Sequence, residues 1–303
     1  MNHPALARPS TIPVPRIGVF DSGLGGLSVL RCLHQLRDDA HLVYVADSGH
    51  APYGDKSVEF IVARSLRIAD FLVEQGMDLL VVACNTATAA AVKALRAAHP
   101  VLPIVGVEPG IKPATLRTRN GRIGVLATEG TLNSERFRLL AQAHADQVEL
   151  TLQAGIGLAA AIEGHALDSD EVRGCVERCC RPLRAAGVDT VVLGCTHYPL
   201  VAELIARQFD PNVALIDTSA AIARRTLDLL PKAPAGNTQV GKEGLTLWSS
   251  GDPAVLGRAC ERWLGISRVA QTLPPRWSTI DVDAALVPGT GLEPVRPVKG
   301  GGF

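Results

Sequence analysis

Short apolar runs rich in Val, Leu and Ile alternate with longer stretches whose apolar residues recur at helical spacing. The runs at 17–20 and 41–46 have the length of strands, whereas 57–75 and 86–98 carry apolar or small residues on one helical face. Strands that alternate with helices of ten or more residues are typical of parallel sheets covered on both faces. Further strands are predicted before Cys84 and Cys195, near Ile123 and at 103–107, 148–152, 213–216 and 245–249, with helices at 132–143, 219–230 and 253–264.

One pattern occurs twice along the chain. Residues 78–86 consist of an Asp, an aliphatic run, and a Cys followed by polar residues, and 189–197 repeat that order. The matched positions are Gly76 with Gly187, Asp78 with Asp189, Cys84 with Cys195, and 16–20 with 122–126. The repeat predicts two similar, pseudo-symmetric halves that each present one cysteine.

The repeat also predicts the domain organisation. Residues 14–109 together with 214–270 are expected to form a discontinuous first α/β domain, and 110–213 the second. Residues 1–13 have the composition of a flexible lead-in. Residues 271–303 are rich in Pro and Gly, and we expect a disordered tail there.

Composition restricts the partners. The 30 basic and 30 acidic residues cancel, and no long run of like charge occurs, so nothing favours nucleic acid or an anionic membrane surface. No apolar run reaches the length of a bilayer, and residues 1–9 lack the apolar stretch of a secretory signal, so we expect a cytoplasmic protein. The seven cysteines are odd in number and scattered, which favours free thiols.

Residues with chemical capability follow four of the predicted strands. They are Asp21-Ser22, Asp47 with the loop of Tyr53, Cys84-Asn85-Thr86 and Cys195-Thr196-His197. In an open parallel sheet, ligands bind outside the carboxyl ends of the strands. We therefore expect these groups to converge on one site.

Two thiols at matched positions suggest a chemistry with two-fold character. If the halves face one another, the thiols approach a ligand from opposite sides, so one can remove a proton from a carbon and the other deliver one to the opposite face. A free thiol titrates near pH 8.5, close to working pH. We expect stereoinversion without a cofactor, with Asp21, His197 and Glu163 either tuning the thiols or pairing with an ammonium group.

Four motifs carry a resemblance to a known family. They are Asp21-Ser22-Gly23-Leu24-Gly25-Gly26, Pro52-Tyr53-Gly54, Cys84-Asn85-Thr86-Ala87 and Gly194-Cys195-Thr196-His197-Tyr198-Pro199. In this order and spacing, residues 16 to about 265 resemble the glutamate racemases of the cofactor-independent aspartate/glutamate racemase superfamily.

The resemblance implies two flavodoxin-like α/β/α domains, with the active site in the cleft between them. It implies interconversion of L- and D-glutamate for peptidoglycan synthesis, with Cys84 and Cys195 as the acid/base residues assisted by Asp21, Glu163 and His197. The substrate contacts it implies are Asp21, Ser22, Pro52, Tyr53, Gly54, Asn85, Thr86, Thr196 and His197. No metal is implied, and the oligomeric state stays open, with a homodimer as one candidate.

One departure and several alternatives accompany this interpretation. The family usually has a Cys-Pro pair about nine residues before the assisting Glu, where this chain has Ala154-Gly155. A racemase of aspartate or another small acidic amino acid is the nearest alternative, although the family's aspartate branch usually has Glu in place of His197. A nicotinamide enzyme, a metal site built on Cys175, Cys179 and Cys180, and an exported amino-acid binding module are less favoured.

Overall fold

The computed structural model describes residues 14–37, 40–144, 146–230 and 244–279. The strands in these ranges are β1 Arg16–Asp21, β2 His41–Ala46, β3 Leu79–Val82, β4 Ile104–Gly106, β5 Arg122–Ala127, β6 Glu149–Ala154, β7 Thr190–Gly194, β8 Ala214–Ile216, β9 Leu245–Ser249 and β10 Gln271–Thr272. The α-helices are α1 Leu27–Leu36, α2 Val58–Glu74, α3 Asn85–Ala98, α4 Ile111–Arg117, α5 Glu129–Leu132, α6 Glu135–Gln142, α7 Leu158–Gly164, α8 Asp170–Ala185, α9 Ala202–Ala206, α10 Ser219–Asp228, α11 Pro253–Leu264 and α12 Pro275–Ser278. Short 3₁₀ turns occupy Ser48–His50, Tyr53–Asp55 and Tyr198–Val201.

The strands form two sheets in which every pairing is parallel. The order is β10-β9-β2-β1-β3-β4 in the first sheet and β6-β5-β7-β8 in the second. Alternate residues of each strand point to opposite sides of the sheet, and both sets are apolar, so both faces of the sheet are covered by helices. In β1, Ile17 and Val19 pack with α1 on one face, whereas Phe20 packs with α2 and α3 on the other. The predicted α/β fold is confirmed.

The two halves share their local topology. The series β2-β1-β3-β4 and β6-β5-β7-β8 both follow the order expected for a flavodoxin-like sheet. Ile17 of β1 pairs with Leu79, and Ile123 of β5 pairs with Thr190, so each cysteine follows its paired strand at the same distance. The turns before the two cysteine strands also match, since Gly76 and Gly187 both have positive φ, +73° and +66°. The predicted pseudo-symmetry is confirmed at this level.

The sheets correct one boundary of the predicted domains. The first domain was expected to resume at residue 214, but β8 pairs with β7, with Thr190 opposite Ala214. The chain returns to the first half only after this strand, at α10, whose Ala223 packs in the core of the first sheet. A strand that precedes a crossover has the same sequence pattern in either sheet, so the pattern of residues 214–216 does not show which sheet they join.

The predicted tail also begins too early. Residues 271–279 form β10 and α12, and Leu273 is fully buried in the core on the α2 side of the first sheet. Trp277 packs against Phe71, with ring centroids 6.1 Å apart. The expectation of disorder is therefore wrong for these nine residues. Residues 1–13 and 280–303 lie outside the described residues.

Candidate active site

A cavity of about 340 Å³ lies where the carboxyl ends of the two sheets face one another. Both halves of the chain contribute to its wall. Its lining is Ser22, Ser48, Ala51, Pro52, Tyr53, Gly54, Cys84, Asn85, Thr86, Thr128, Ala159, Ala160, Glu163, Gly164, Cys195, Thr196, His197 and Val255. The structure thus brings together the residues that follow β2, β3 and β7, with Ser22 after β1. Asp21 itself is absent from the described residues that line the cavity.

The hydrogen-bond partners of Cys84 are neutral groups. Its side chain caps α3, where the Ala87 amide donates to Sγ at 3.4 Å, and Ser22 Oγ lies 3.3 Å from the same sulfur. The amides at a helix N-terminus favour a thiolate. Burial disfavours it, as does the negative charge of Asp21, and together they raise the pKa of the Cys84 thiol to about 12. Cys84 therefore carries its proton at neutral pH.

Cys195 is accompanied by a group that can carry positive charge. His197 Nδ1 lies 3.6 Å from Sγ, and the opposite ring nitrogen, Nε2, lies 2.6 Å from Oε1 of Glu163. Burial alone would lower the pKa of His197, but its bonds to Cys195 and Glu163 outweigh burial and raise that pKa well above the usual value. Burial likewise opposes ionisation of Glu163, yet the bonds from His197 and the Leu24 amide hold its pKa below the usual value. This arrangement suits an imidazolium between a carboxylate and a thiolate.

Asp21 lies behind the cavity wall and is fully buried. Its Oδ2 accepts hydrogen bonds from the amides of Gly23 at 3.2 Å and Gly26 at 3.0 Å. Thr196 Oγ1 approaches Oδ1 at 3.5 Å. Burial raises the pKa of Asp21, although the positive charge of His197 and these amides oppose the rise. Asp21 therefore faces the glycine-rich turn and Thr196 rather than the cavity itself, and its charge acts on Cys84.

Tyr53 is fixed by a buried ion pair. Its hydroxyl donates to Asp47 Oδ2 at 2.6 Å, and Arg64 donates to both carboxylate oxygens, with Nε 2.9 Å from Oδ2. Both members of the pair are fully buried, and Arg64 also donates to the carbonyl of Trp277 at 2.8 Å. Because its hydroxyl is bonded to Asp47, Tyr53 lines the cavity beside Ala51, Pro52 and Gly54 without presenting that hydroxyl to a ligand.

Several lining residues were not predicted. Thr128 follows β5 and lies 2.9 Å from Thr86 across the two halves, measured between their Oγ1 atoms. The rule that ligands bind at the carboxyl ends of strands applies to β5 as well, so this position was available from the sequence. Ala159, Ala160 and Val255 are small or apolar, and nothing in their sequence context distinguishes them from core residues.

The departure at Ala154-Gly155 has a structural counterpart. A Cβ placed on Gly155 would lie 2.0 Å from the Tyr198 hydroxyl, which no real side chain permits. Tyr198 is fully buried, and its hydroxyl approaches the Gly155 carbonyl at 3.5 Å. The missing side chain therefore provides room for this phenol behind Cys195. Glu163, eight residues after Gly155, still reaches His197.

The less favoured alternatives can be compared with the structure. Cys175, Cys179 and Cys180 lie on α8 and pack in the core of the second half. Within the described ranges, no three His, Cys, Asp or Glu side chains are grouped as a metal site requires. The nicotinamide alternative depends on the glycine-rich residues 23–26 after β1, which resemble a dinucleotide-binding turn. In the structure, Glu163 and His197 occupy the space beside Gly23 and Gly25.

Two parallel sheets that direct thiols, an imidazole and a carboxylate into one shared cleft define an α/β enzyme with its site between similar halves. A model of the family described as Asp/Glu/Hydantoin racemase matches residues 17–226. The chain belongs to this family.

Relatives and solved structures agree with this placement. A glutamate racemase of Herpetosiphon aurantiacus is 50% identical over 238 residues, which cover 78% of this chain and 93% of the relative. A glutamate racemase of Pseudomonas aeruginosa is 51% identical over 209 residues, or 69% and 79% of the two chains. The crystal structure of Escherichia coli glutamate racemase with L-glutamate and the activator UDP-MurNAc-ala has a TM-score of 0.75 at 34% identity, covering 86% of this chain and 98% of that one. A Bacillus anthracis glutamate racemase isoform has a TM-score of 0.76 at 29% identity, with the same coverage.

Among the described residues, no helix is long and apolar enough to cross a bilayer.

Proposed function

We propose that the protein is an isomerase that interconverts L- and D-glutamate by proton transfer between two thiols and the α-carbon. The observation that carries the proposal is that Cys84 and Cys195, one from each half, line a single cavity. Relatives named glutamate racemases, about 50% identical over most of the chain, support glutamate as the substrate. The resemblance implies that the D-glutamate product is used for peptidoglycan synthesis.

The proposed reaction starts with Cys195 as the thiolate and Cys84 as the thiol. The Cys195 sulfur takes the α-hydrogen of the enantiomer that faces it, so the C–H bond breaks and its electron pair stays on carbon. Cys84 then donates its proton to the opposite face of the same carbon, and the product has inverted configuration. The reverse direction starts from the product state, in which Cys84 is the thiolate and Cys195 the thiol.

The weak acidity of the α-carbon requires stabilisation of the charge that develops on the substrate carboxylate. The side-chain nitrogen of Asn85, Nδ2, is buried and has no hydrogen-bond partner among the described residues, although Asn85 lines the cavity. We assign this donor, the hydroxyls of Thr86 and Thr196 and the backbone of Tyr53-Gly54 to substrate binding. Asp21 is assigned to holding the turn and tuning Cys84.

The test uses deuterated water. The parent protein, treated with a chelator and given no pyridoxal phosphate, is incubated with L-glutamate while configuration and α-deuteration are followed. We expect D-glutamate that is deuterated at the α-position. Cys84→Ala and Cys195→Ala should abolish inversion, whereas Cys32→Ala, a half-buried thiol on α1, should retain it. Inversion at the parent rate in either cavity variant would contradict the two-thiol assignment.

Two further expectations stay proposals. The cytoplasm is supported by the seven cysteines, all of which lie in the described ranges as free thiols. A homodimer has no support from contacts within the single chain, and light scattering of the purified protein distinguishes it from a monomer of 31.9 kDa.

A further inference from the structure

The turn of residues 22–26 in the first half, here called the glycine turn, touches the acid/base pair of the second half. The Leu24 amide donates to Oε1 of Glu163 at 2.7 Å. The same oxygen is hydrogen-bonded to Nε2 of His197 at 2.6 Å. One carboxylate oxygen thus joins a backbone donor of one half to the imidazole of the other.

The two glycines at the centre of this turn have no room for a side chain. A Cβ on Gly23 would lie 2.2 Å from Glu163 Oε1, and a Cβ on Gly25 would lie 2.4 Å from His197 Nδ1. Neither residue has positive φ, so backbone conformation does not require glycine there. The requirement comes from the close approach of the Glu163 carboxylate and the His197 ring.

The glycine turn is held in place from its other side. The Tyr44 hydroxyl donates to the Gly23 carbonyl at 3.0 Å, and Asp21 accepts from the amides of Gly23 and Gly26. Tyr44 is fully buried in β2 and is absent from the described residues that line the cavity. Its hydroxyl therefore contacts this turn rather than the cavity.

We propose that Gly23, Leu24 and Gly25, supported by Tyr44, are positioning residues that align Glu163 and His197 for proton transfer at Cys195. The amide of Leu24 fixes the carboxylate oxygen against Nε2 of the ring, and this orientation keeps Nδ1 directed at the sulfur. Donor and acceptor belong to different halves, so any movement that separates the halves removes the bond. The alignment of Glu163 and His197 at Cys195 is thereby linked to contact between the two halves. This assignment rests on the proposed function, which makes Cys195 an acid/base residue.

The test measures the thiolate directly. Unliganded protein is treated with iodoacetamide between pH 6 and pH 9, and the alkylation of each cysteine is followed by peptide mass spectrometry. Gly23→Ala displaces the flexible end of Glu163 and should move the midpoint of the Cys195 rate curve upward by about one pH unit, which is about a tenfold slower reaction at pH 7. The Cys84 curve in the same sample should stay unchanged.

Two more variants separate positioning from general damage. Tyr44→Phe removes only the hydroxyl that holds the Gly23 carbonyl, and it should shift the Cys195 curve in the same direction by a smaller amount. Gly174 lies on α8, and the nearest side-chain atom to a Cβ added there belongs to Arg178, at 3.4 Å. The Cys195 curve of Gly174→Ala should therefore match that of the parent. In glutamate turnover, Gly23→Ala should lower kcat with KM close to that of the parent.

The positioning role and the proposed function can fail independently of each other. If the Cys195 curve is the same in the parent and in folded Gly23→Ala, or in Tyr44→Phe should Gly23→Ala fail to fold, the positioning role is wrong. An equal shift in Gly174→Ala would also overturn it. Failure of the parent to racemise glutamate would overturn the proposed function instead, and the alkylation curves would still decide what the glycine turn does.

Discussion

Cys84 and Cys195 occupy equivalent places in the two halves, yet their surroundings differ in charge. Both follow the third strand of a 2-1-3-4 sheet, both are nearly buried, and both open on the same cavity. Cys84 has a hydroxyl and an amide as partners and the carboxylate of Asp21 nearby, and its pKa is raised to about 12. Cys195 instead has an imidazole backed by a carboxylate.

The difference shows how a symmetric scaffold can support a reaction that is never symmetric at one instant. Each turnover needs one thiolate and one thiol, and equal surroundings would leave both sulfurs in the same state. Burial beside Asp21 keeps the proton on Cys84, whereas the direct partner of Cys195 is the imidazole of His197, whose pKa is raised. The repeat of the fold supplies the geometry, and residues that differ between the two halves, such as Asp21, Glu163 and His197, supply the difference in charge.

The strongest challenge to this comparison removes the imidazole. His197→Gln leaves Cys195 without a cationic partner, so we expect kcat to fall about 100-fold, within the usual range for loss of acid/base assistance. The remaining activity should rise with pH over a wider range than in the parent, because hydroxide must then generate the thiolate. Steady-state rates between pH 6 and pH 10 measure this. A pH profile parallel to that of the parent would contradict the assignment.

The Glu163–His197 pair should also leave a signature in stability. His197 has a raised pKa, so its contribution is complete below the unfolded value near 6.5 and is lost as pH rises through the folded value. Glu163 has a lowered pKa, so its contribution is complete above about 4.5 and is lost as pH falls through the folded value. Between pH 4.5 and pH 6.5, the free energy of unfolding of the parent protein should therefore exceed that of the Glu163→Gln variant by about 1.5–3 kcal/mol, which is the scale of a charged hydrogen bond.

Urea unfolding of both proteins from pH 4 to pH 10 measures that difference. It should shrink toward both ends of the range, whereas a difference that grows steadily with pH would show that the pair is not charged in the folded protein.

A third variant acts on the other sulfur with the opposite sign. Asp21→Asn removes the negative charge that helps to raise the pKa of Cys84, so this thiol should be alkylated about tenfold faster at pH 8. Glu163→Gln should slow the alkylation of Cys195 in the same assay. If both substitutions change their cysteines in the same direction, the two sites do not differ in the way described.

The smallest effect is expected from Ser22→Ala. Ser22 Oγ lies 3.3 Å from Cys84 Sγ, but it is neutral and contributes one hydrogen bond. We expect kcat to fall by about two- to fivefold, far less than for His197→Gln. Parallel assays of the two variants provide the comparison, and equal losses would contradict the difference between a neutral and a charged partner.

Much of this arrangement could be predicted because it depends on local patterns. Strand–helix alternation indicated the parallel sheets, and the repeat around Cys84 and Cys195 indicated two halves with one thiol each. Other features depend on long-range contacts that no local pattern records. The buried pair of Asp47 and Arg64 joins β2 to α2, and its bond to the Trp277 carbonyl explains why the chain stays ordered past the predicted start of the tail.

Smaller errors also have physical causes. The helix predicted over 132–143 begins later, at Glu135, because the Ser134 side chain accepts a hydrogen bond from the Phe137 amide at 3.1 Å and caps the helix there. Of the cavity residues, those at strand ends followed from the sheet rule, whereas Val255 reaches the cavity from α11, far along the chain. The glycine turn is recognisable in the sequence as a motif, but its contact with Glu163 and His197 depends on how the two halves pack together.

The most direct test of the central claim follows one half of the reaction at a time. Cys84→Ala and Cys195→Ala are each incubated in deuterated water with pure L-glutamate and with pure D-glutamate, and α-deuterium is measured by mass spectrometry. With one thiol on each face, Cys84→Ala should exchange one enantiomer without inverting it, and Cys195→Ala only the other. Exchange of the same enantiomer by both variants would place the two sulfurs on one face of the substrate and contradict the account.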